Sequence, residues 1–186
     1  MTHEFLPFPK IARLHRDIVI TEKLDGTNAQ IYITDDNEML IGSRTRWITP
    51  DNDNYGFARW AMTNEEELRK LGPGQHFGEW WGKGIQRGYN LAEKRFSLFN
   101  VARWGDPEVR PKCCHVVPTL YKGPWSGTKA GIHRLTLALL AHGGSLASPG
   151  FMKPEGVVIW HEASRQMFKI TIEGDEVPKG ISNEQS

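Results

Sequence analysis

The stretch Glu22-Lys23-Leu24-Asp25-Gly26-Thr27-Asn28 decides the fold and the chemistry expected of this 186-residue chain. A β-rich stretch at residues 18–22 leads into it, and residues 29–34, which alternate apolar and polar side chains, follow it. Lys23 therefore lies at the end of one predicted strand, two residues before Asp25-Gly26. In that place a lysine is either an ordinary surface charge before a turn or a nucleophilic amine.

A nucleophilic lysine must first lose its proton. At the ordinary lysine pKa of about 10.4, only on the order of 0.1% of the amine is neutral near pH 7. Each unit of pKa depression costs about 1.4 kcal/mol, which desolvation or a nearby cation has to supply. A metal ion carried in with a nucleotide would meet that need.

Three further charged residues each allow two interpretations. Glu79 lies within an apolar segment, where a carboxylate needs hydrogen bonds, either from ribose hydroxyls or from a backbone turn. Glu155 precedes the predicted strand at residues 157–160, and Lys169 lies in the strand expected to pair with it. These two residues either form a cross-strand ion pair or bind a metal and a phosphate.

Arg44 and Phe99 are candidate nucleotide contacts. Arg44 follows the predicted strand at residues 39–41, and its guanidinium suits phosphate or ribose oxygens, although a solvated loop arginine has the same pattern. Phe99 lies in the predicted strand at residues 96–101 and either stacks on a base or belongs to the core.

The remaining pattern predicts one α+β domain over residues 1–186, because mostly antiparallel strands are interspersed with a few helices. Thr63 and Glu66 form a capping box that predicts a helix ending near Gly72. A second helix is predicted at residues 126–143, and residues 157–160 and 166–172 are predicted to form a hairpin. The apolar side of the second helix is predicted to consist of Ile132, Leu135, Leu139 and Leu140.

Seven tryptophans are many for a chain of this size. Trp80, Trp81 and Trp104 are predicted to build the core. Trp47 and Trp60 are candidates for stacking on nucleic-acid bases.

The composition excludes several classes of protein. A net charge of +1 excludes a uniformly basic nucleic-acid coat, so any nucleic acid would have to bind at a local basic patch. No apolar run approaches the roughly 20 residues of a membrane span, and the N-terminus lacks the pattern of a secretory signal. Cys113 and Cys114 are neighbours without further cysteines, which favours a reducing, cytoplasmic compartment.

Six short motifs occur in an order that resembles the covalent nucleotidyltransferase superfamily, and within it the ATP-dependent RNA ligases of the RNA ligase 2 type. The resemblance covers residues 21–172, and residues 22–28 resemble motif I. The other five motifs resembled are Ia at Ser43-Arg44-Thr45, III at Phe77-Gly78-Glu79, IIIa at residues 96–101, IV at residues 154–158 and V at Phe168-Lys169-Ile170.

The resemblance implies an adenylyltransferase fold of antiparallel sheets flanked by helices, with the nucleotide pocket between them. It implies that Lys23 attacks the α-phosphorus of ATP, that the AMP passes to a 5′-phosphate end, and that a 3′-hydroxyl then displaces it. Mg²⁺ or Mn²⁺ is the implied metal, and a nucleic acid with such ends, RNA first, is the implied partner of a monomeric enzyme. The implied contacts are Glu22 with the adenine amino group, Phe99 with the adenine face, Glu79 with ribose hydroxyls, Asn28 and Arg44 with ribose and phosphate oxygens, Glu155 with the metal and Lys169 with the α-phosphate.

Two positions depart from the family pattern. Met167 stands where motif V often has a first lysine, and Asn100 stands where motif IIIa usually has an aspartate. Lys153 and Lys179 are candidates to replace the missing lysine. Too few residues follow Lys169 for the OB-fold that DNA ligases and capping enzymes carry, so the resemblance implies a bare catalytic domain.

Two alternatives stay open at this point. One is a small DNA or nicked-hybrid ligase, and the other is a nucleotide- or RNA-end-binding module that has lost turnover. Five basic residues are candidates for a nucleic-acid grip and equally for ordinary surface charges: Arg44, Arg46, Lys83, Arg87 and Arg95.

Overall fold

A computed structural model describes residues 3–125 and 131–175 of the chain. Two mainly antiparallel sheets and four short helices make up this part, which confirms the predicted α+β class. The strands are β1 (Asp17–Lys23), β2 (Thr27–Ile33), β3 (Met39–Ser43), β4 (Gly74–Gly82), β5 (Lys94–Leu98), β6 (Cys114–Val116), β7 (Thr119–Pro124), β8 (Gly156–His161) and β9 (Gln166–Thr171). The helices are α1 (Phe57–Thr63), α2 (Glu65–Leu68), α3 (Val101–Trp104) and α4 (Ile132–Gly143), and a 3₁₀ turn spans Arg69–Leu71.

The five-stranded sheet has the order β3-β2-β4-β5-β6. Side chains alternate along its strands, so that one face buries a continuous apolar layer and the other carries the polar Asn28, Gln30 and Glu79 together with aromatic side chains. Ile31, Trp80 and Phe96 lie on the apolar face and pack against Phe57 of α1. The predicted core positions of Trp80, Trp81 and Trp104 are confirmed, because all three are buried.

The four-stranded sheet has the order β7-β1-β8-β9. Ile18, Ile20, Val157 and Ile159 lie on one face and form a buried cluster with Leu140 of α4. The predicted hairpin is confirmed as β8 and β9, which pair in register from Gly156 opposite Thr171 to His161 opposite Gln166.

The chain passes from the four-stranded to the five-stranded sheet through residues 24–26, between β1 and β2. Gly26 is required there because a Cβ atom would lie 2.4 Å from the Trp80 carbonyl oxygen and 2.7 Å from the Trp81 Cβ. The motif around Lys23 therefore forms the connection between the two sheets.

The predicted capping box is wrong. Thr63 is the last residue of α1 rather than a helix N-cap, and its hydroxyl donates to the Arg59 carbonyl at 2.9 Å. Asn64 separates α1 from α2, and the helical stretch ends at Gly72 as predicted. The capping pattern is misleading because the helix has already begun at Phe57, where the N-cap Gly56 has no side chain and Asp53 accepts the Ala58 and Arg59 amides instead.

Two other predicted boundaries also differ. The strand predicted at residues 96–101 ends at Leu98, because the Asn100 side chain accepts the Arg103 amide at 3.1 Å and caps α3. Helix α4 begins at Ile132, and residues 126–130 of the predicted helix lie outside the described residues. Leu135 and Leu139, which the sequence pattern assigns to the buried side of this helix, are exposed.

None of the helices within residues 3–125 and 131–175 has the length and apolarity that a membrane crossing requires.

Candidate active site

Lys23 and Glu155 form a partly buried ion pair at the end of β1. The Lys23 Nζ donates to the Glu155 Oε2 at 2.5 Å, and the two side chains are 21% and 8% exposed. The pairing follows from the register, because Lys23 lies opposite Gly156, the residue after Glu155. The partner of Glu155 is thus Lys23, and the cross-strand pair of Glu155 with Lys169 is not among the ion pairs of the described residues.

Lys169 lies on the same face of the four-stranded sheet as Lys23. Val158 is opposite Thr21 on one side and opposite Lys169 on the other, and Thr21 lies two residues before Lys23. Residues two apart on a strand share a face, so both lysine side chains leave the sheet in the same direction. Lys169 is exposed, which leaves its amine accessible to a ligand.

Glu79 lies on the five-stranded sheet and holds the turn that follows Lys23. Its Oε1 accepts the Gly26 amide at 3.0 Å, and its Oε2 accepts the Asn28 Nδ2 at 3.1 Å. Asn28 is directly opposite Glu79 in the β2–β4 ladder, which accounts for the second bond. Of the two interpretations of this carboxylate, the structure therefore shows the backbone turn.

Burial raises the pKa of Glu79 to about 7, although the positive charge of Lys23 and the Gly26 amide act in the opposite direction. The charges of Glu155 and Asp25 raise this pKa further. Because the charges of Lys23 and Glu155 both act on Glu79, the two sheets contribute to one electrostatic site.

Glu22 points away from Lys23, as neighbours on a strand do. It is 1% exposed, and its carboxylate accepts the Ser145 hydroxyl at 2.5 Å and the amides of Leu146 and Ala147 at 2.9 and 3.0 Å. Burial raises the pKa of Glu22 despite these three bonds. The structure thus shows Glu22 fastening the loop after α4, and its contact with adenine stays a prediction.

Arg44 and Phe99 lie beside these residues. Ala29 is opposite Ser43 in the last β2–β3 pair, so Arg44 comes next to Asn28 at the end of β3, where it is exposed. Phe99 is half-buried and packs against a buried cluster that contains Trp81. Both are near the elements that carry Glu79, and their contacts with a nucleotide stay predictions.

Two side chains hold the motif I turn in a way that sequence reasoning did not predict, although Arg87 is one of the five basic candidates for a nucleic-acid grip. The Tyr89 hydroxyl accepts the Asp25 amide at 2.9 Å, and Tyr89 is fully buried. Arg87 donates from Nε to the Asp25 Oδ2 at 2.9 Å and from Nη1 to the Lys153 carbonyl at 3.0 Å. Both lie in an irregular segment about 60 residues further along the chain, and no motif or periodicity indicates them.

A divalent cation would find one carboxylate rather than a complete protein cage. Among residues 3–125 and 131–175, no group of three or more histidine, cysteine, aspartate or glutamate side chains is arranged to hold a metal. Glu155 alone fits Mg²⁺ or Mn²⁺ when substrate phosphates and water supply the other ligands, which is the usual arrangement for Mg²⁺.

The sequence matches the model of the family described as RNA ligase over residues 16–171. No curated protein matches the sequence significantly.

Solved structures of a Naegleria gruberi RNA ligase share the fold. A variant with AMP and Mn has a TM-score of 0.62 at 21% identity, covering 85% of this chain and 50% of that one. A variant with ATP and Mn has a TM-score of 0.60 at 21% identity, with coverages of 84% and 50%. The structure with PPi has a TM-score of 0.57 at 22% identity and the same coverages of 84% and 50%. The chain therefore spans about half the length of the ligase it matches.

Proposed function

Because the chain belongs to the RNA ligase family, we propose that it joins RNA ends through a covalent lysine–AMP intermediate on Lys23. The observation that carries this proposal is the partly buried contact of Lys23 with Glu155 at 2.5 Å, at the point where the two sheets connect. An ordinary surface lysine would be largely exposed, whereas this side chain is 21% exposed and its amine is held beside a carboxylate that suits a metal.

The first step uses ATP as the AMP donor. The neutral amine of Lys23 attacks the α-phosphorus, so that a nitrogen–phosphorus bond forms and the bond to the bridging oxygen of pyrophosphate breaks. Pyrophosphate leaves with the electron pair, and the attacking nitrogen loses one proton and keeps the other in the phosphoramidate. Glu155, whose Oε2 already accepts a hydrogen bond from this amine, is within reach of the released proton.

Three side chains are proposed to bind the nucleotide around this step. Glu79 would accept ribose hydroxyls, and Asn28 and Arg44 would hold ribose and phosphate oxygens. The exposed position of Asn28 and Arg44 beside the buried Glu79 supports these contacts.

Three further contacts complete the proposed nucleotide site. Phe99 would stack on adenine, and Lys169 would neutralise negative charge on the α-phosphate during transfer, which its place on the Lys23 face supports. Glu22 would bind the adenine amino group with a carboxylate that already accepts three hydrogen bonds. This last contact has the least support from the geometry.

The proposed metal site is Glu155, for Mg²⁺ or Mn²⁺. A bound cation would supply positive charge beside the α-phosphate and would compete with the ammonium of Lys23 for the carboxylate, which favours the neutral amine.

Sealing would follow by transfer of AMP to a 5′-phosphate and its displacement by a 3′-hydroxyl. A DNA or nicked-hybrid ligase is the second candidate, since the same steps serve either nucleic acid. The third candidate is a nucleotide- or RNA-end-binding module that has lost turnover, which Met167 and Asn100 suggested. It loses part of its support because Asn100 has a structural role as the cap of α3. Of the candidates to replace the missing lysine, Lys153 is exposed, and Lys179 lies outside the described residues.

A nucleotidyltransferase domain over residues 1–186, a monomeric state and a cytoplasmic location complete the proposal. The cytoplasmic location is supported by Cys113 and Cys114, which are both free thiols.

The test is covalent labelling with α-labelled ATP and Mg²⁺ or Mn²⁺, followed by denaturation. Label is expected to stay on the protein, to resist base and to be released by acid. Lys23→Ala and Lys23→Arg should both lose it, and Lys23→Arg is the matched control because it keeps a cation beside Glu155 and therefore the fold. Labelling of Lys23→Arg at the parent level would refute the mechanism. Sealing of nicked RNA, DNA and hybrid duplexes by the parent protein would distinguish the substrates.

A further inference from the structure

The exposed Trp47 and Phe77 and the half-buried Tyr32 continue the candidate site along the open face of the five-stranded sheet. The register sets successive rows on this face, with Asn28 opposite Glu79, then Gln30 opposite Phe77, and then Tyr32. Rows on one face of a strand are about 7 Å apart. Phe77 and Tyr32 therefore lie one and two rows beyond the proposed nucleotide site.

Trp47 joins this face from the neighbouring edge. It is bridged to Gly42, which lies opposite Gln30 in the second row. Its ring stacks on Tyr32, with centroids 6.2 Å apart and planes inclined by 22°. Trp47 is 49% exposed and Phe77 is 50% exposed, although most aromatic side chains of this sheet are buried.

We propose that Tyr32, Trp47 and Phe77, here called the aromatic face, bind the unpaired bases of a single-stranded RNA end. This inference rests on the proposed function and adds to it the place where the strand leaves the site. Aromatic side chains stack on any base, which suits an enzyme that must accept ends of different sequence. Continuity with the proposed nucleotide site argues for this occupant, since the three rows lie on one face of one sheet.

The charges around the aromatic face are consistent with a strand that runs from the proposed nucleotide site towards Tyr32. Arg44 and Arg46 lie in the loop between β3 and Trp47, and both are exposed. The loop is held by the Ser43 amide, which donates to the Arg46 carbonyl at 2.8 Å, and by the Arg46 Nη1, which donates to the Asn52 carbonyl at 3.1 Å. Two cations are thus presented at the end of the face that adjoins Asn28, where a phosphate backbone would enter.

The opposite end of the aromatic face is acidic. Asp35, Asp36 and Glu38 are exposed in the turn between β2 and β3, directly beyond Tyr32. Carboxylates there repel phosphates, so the bound segment is limited to the few nucleotides between the site and Tyr32.

The test measures the affinity for a short, unstructured RNA with a 5′-phosphate and a 3′ fluorophore, by fluorescence anisotropy. Trp47→Ala and Phe77→Ala are each expected to weaken binding by about 5- to 150-fold, the effect of losing one stacked base. Trp47→Phe should retain most of the affinity, because it keeps a stacking ring. Leu139→Ala on α4, which removes an exposed apolar side chain elsewhere, is the matched control and should bind as the parent does.

Labelling of Lys23 by ATP alone is measured on the same variants. Weak RNA binding with normal labelling supports the aromatic face, whereas parental affinity in both alanine variants overturns it. A parent protein that binds RNA through the aromatic face but takes no label refutes only the proposed catalysis. The parent protein could instead self-associate through this face. If the alanine variants are then monomeric by light scattering and bind RNA as the parent does, the face is a protein interface and the inference is overturned.

Discussion

The four-stranded and five-stranded sheets supply different kinds of side chain to the candidate site. The four-stranded sheet carries the amine of Lys23, and Lys169 lies on the same face, with Glu155 just before β8. The five-stranded sheet carries Asn28 and Glu79, whose hydrogen bonds hold the turn between the sheets. Under the proposed function, one sheet would perform the transfer and the other would bind the nucleotide, and their connection at Gly26 would keep the two aligned.

The largest effect is expected from disturbing that connection. Gly26→Ala brings a Cβ to 2.4 Å from the Trp80 carbonyl, where rigid backbone cannot give way, and should lower the free energy of unfolding by about 3 kcal/mol. Labelling of Lys23 should fall with it, because the Gly26 amide is bound by Glu79. Denaturant unfolding and ATP labelling measure both effects.

Gly143→Ala is the matched control, because a Cβ there meets no atom within 4 Å. If Gly26→Ala were as stable and as active as Gly143→Ala, the two sheets would not depend on a close approach at residue 26.

An intermediate effect is expected from the titration of Glu79 in the five-stranded sheet. Its pKa rises from 4.5 to about 7 on folding, so the folded state binds the proton more tightly. Protonation of Glu79 therefore contributes to the free energy of unfolding. This contribution is fully present below pH 4.5 and is lost as the pH rises through about 7, and its loss lowers the free energy of unfolding by about 3 kcal/mol at most. Glu79→Gln should remove this part of the pH dependence in unfolding measured from about pH 4 to about pH 8.

Glu162→Gln, at an exposed carboxylate in the β8–β9 turn, serves for comparison and should follow the parent curve. Parallel curves for the parent and Glu79→Gln would mean that folding leaves the pKa of Glu79 at its ordinary value, contrary to the effect of its burial.

The smallest effect is expected from the side chain that ties motif I to the segment before Glu155. Arg87→Ala removes the hydrogen bonds to Asp25 and to the Lys153 carbonyl. Because Arg87 and Asp25 are partly exposed, the turn should lose about 1 kcal/mol of stabilisation, which corresponds to about a fivefold lower labelling rate. Arg87→Lys keeps the charge beside Asp25 and should recover part of the rate. Equal rates for the parent and Arg87→Ala would show that the turn is held without this bridge.

The sequence alone is sufficient to predict much of the fold. The strands β1, β2 and β8 are predicted by local periodicity, because each of them buries one face. Strand β9, whose first four residues are exposed, is predicted as the partner of β8 across the turn at residues 162–165. Thr63 shows where this reasoning fails, since a capping pattern is also satisfied by a residue that ends a helix. Asn100 shows the same at α3, where a cap ends a predicted strand.

By itself, the sequence determined the α+β class and the membership in a ligase family through the order of its motifs, and it marked Lys23, Glu79 and Glu155 as candidate site residues. Only the tertiary structure decided which groups meet: that Glu155 binds Lys23 rather than Lys169, that Glu22 fastens the loop after α4, and that Arg87 holds Asp25. The physical reason is that motifs and periodicity report the local surroundings of a residue, whereas a hydrogen bond between residues far apart in the chain depends on sheet register and loop path, which are set when the two sheets pack together.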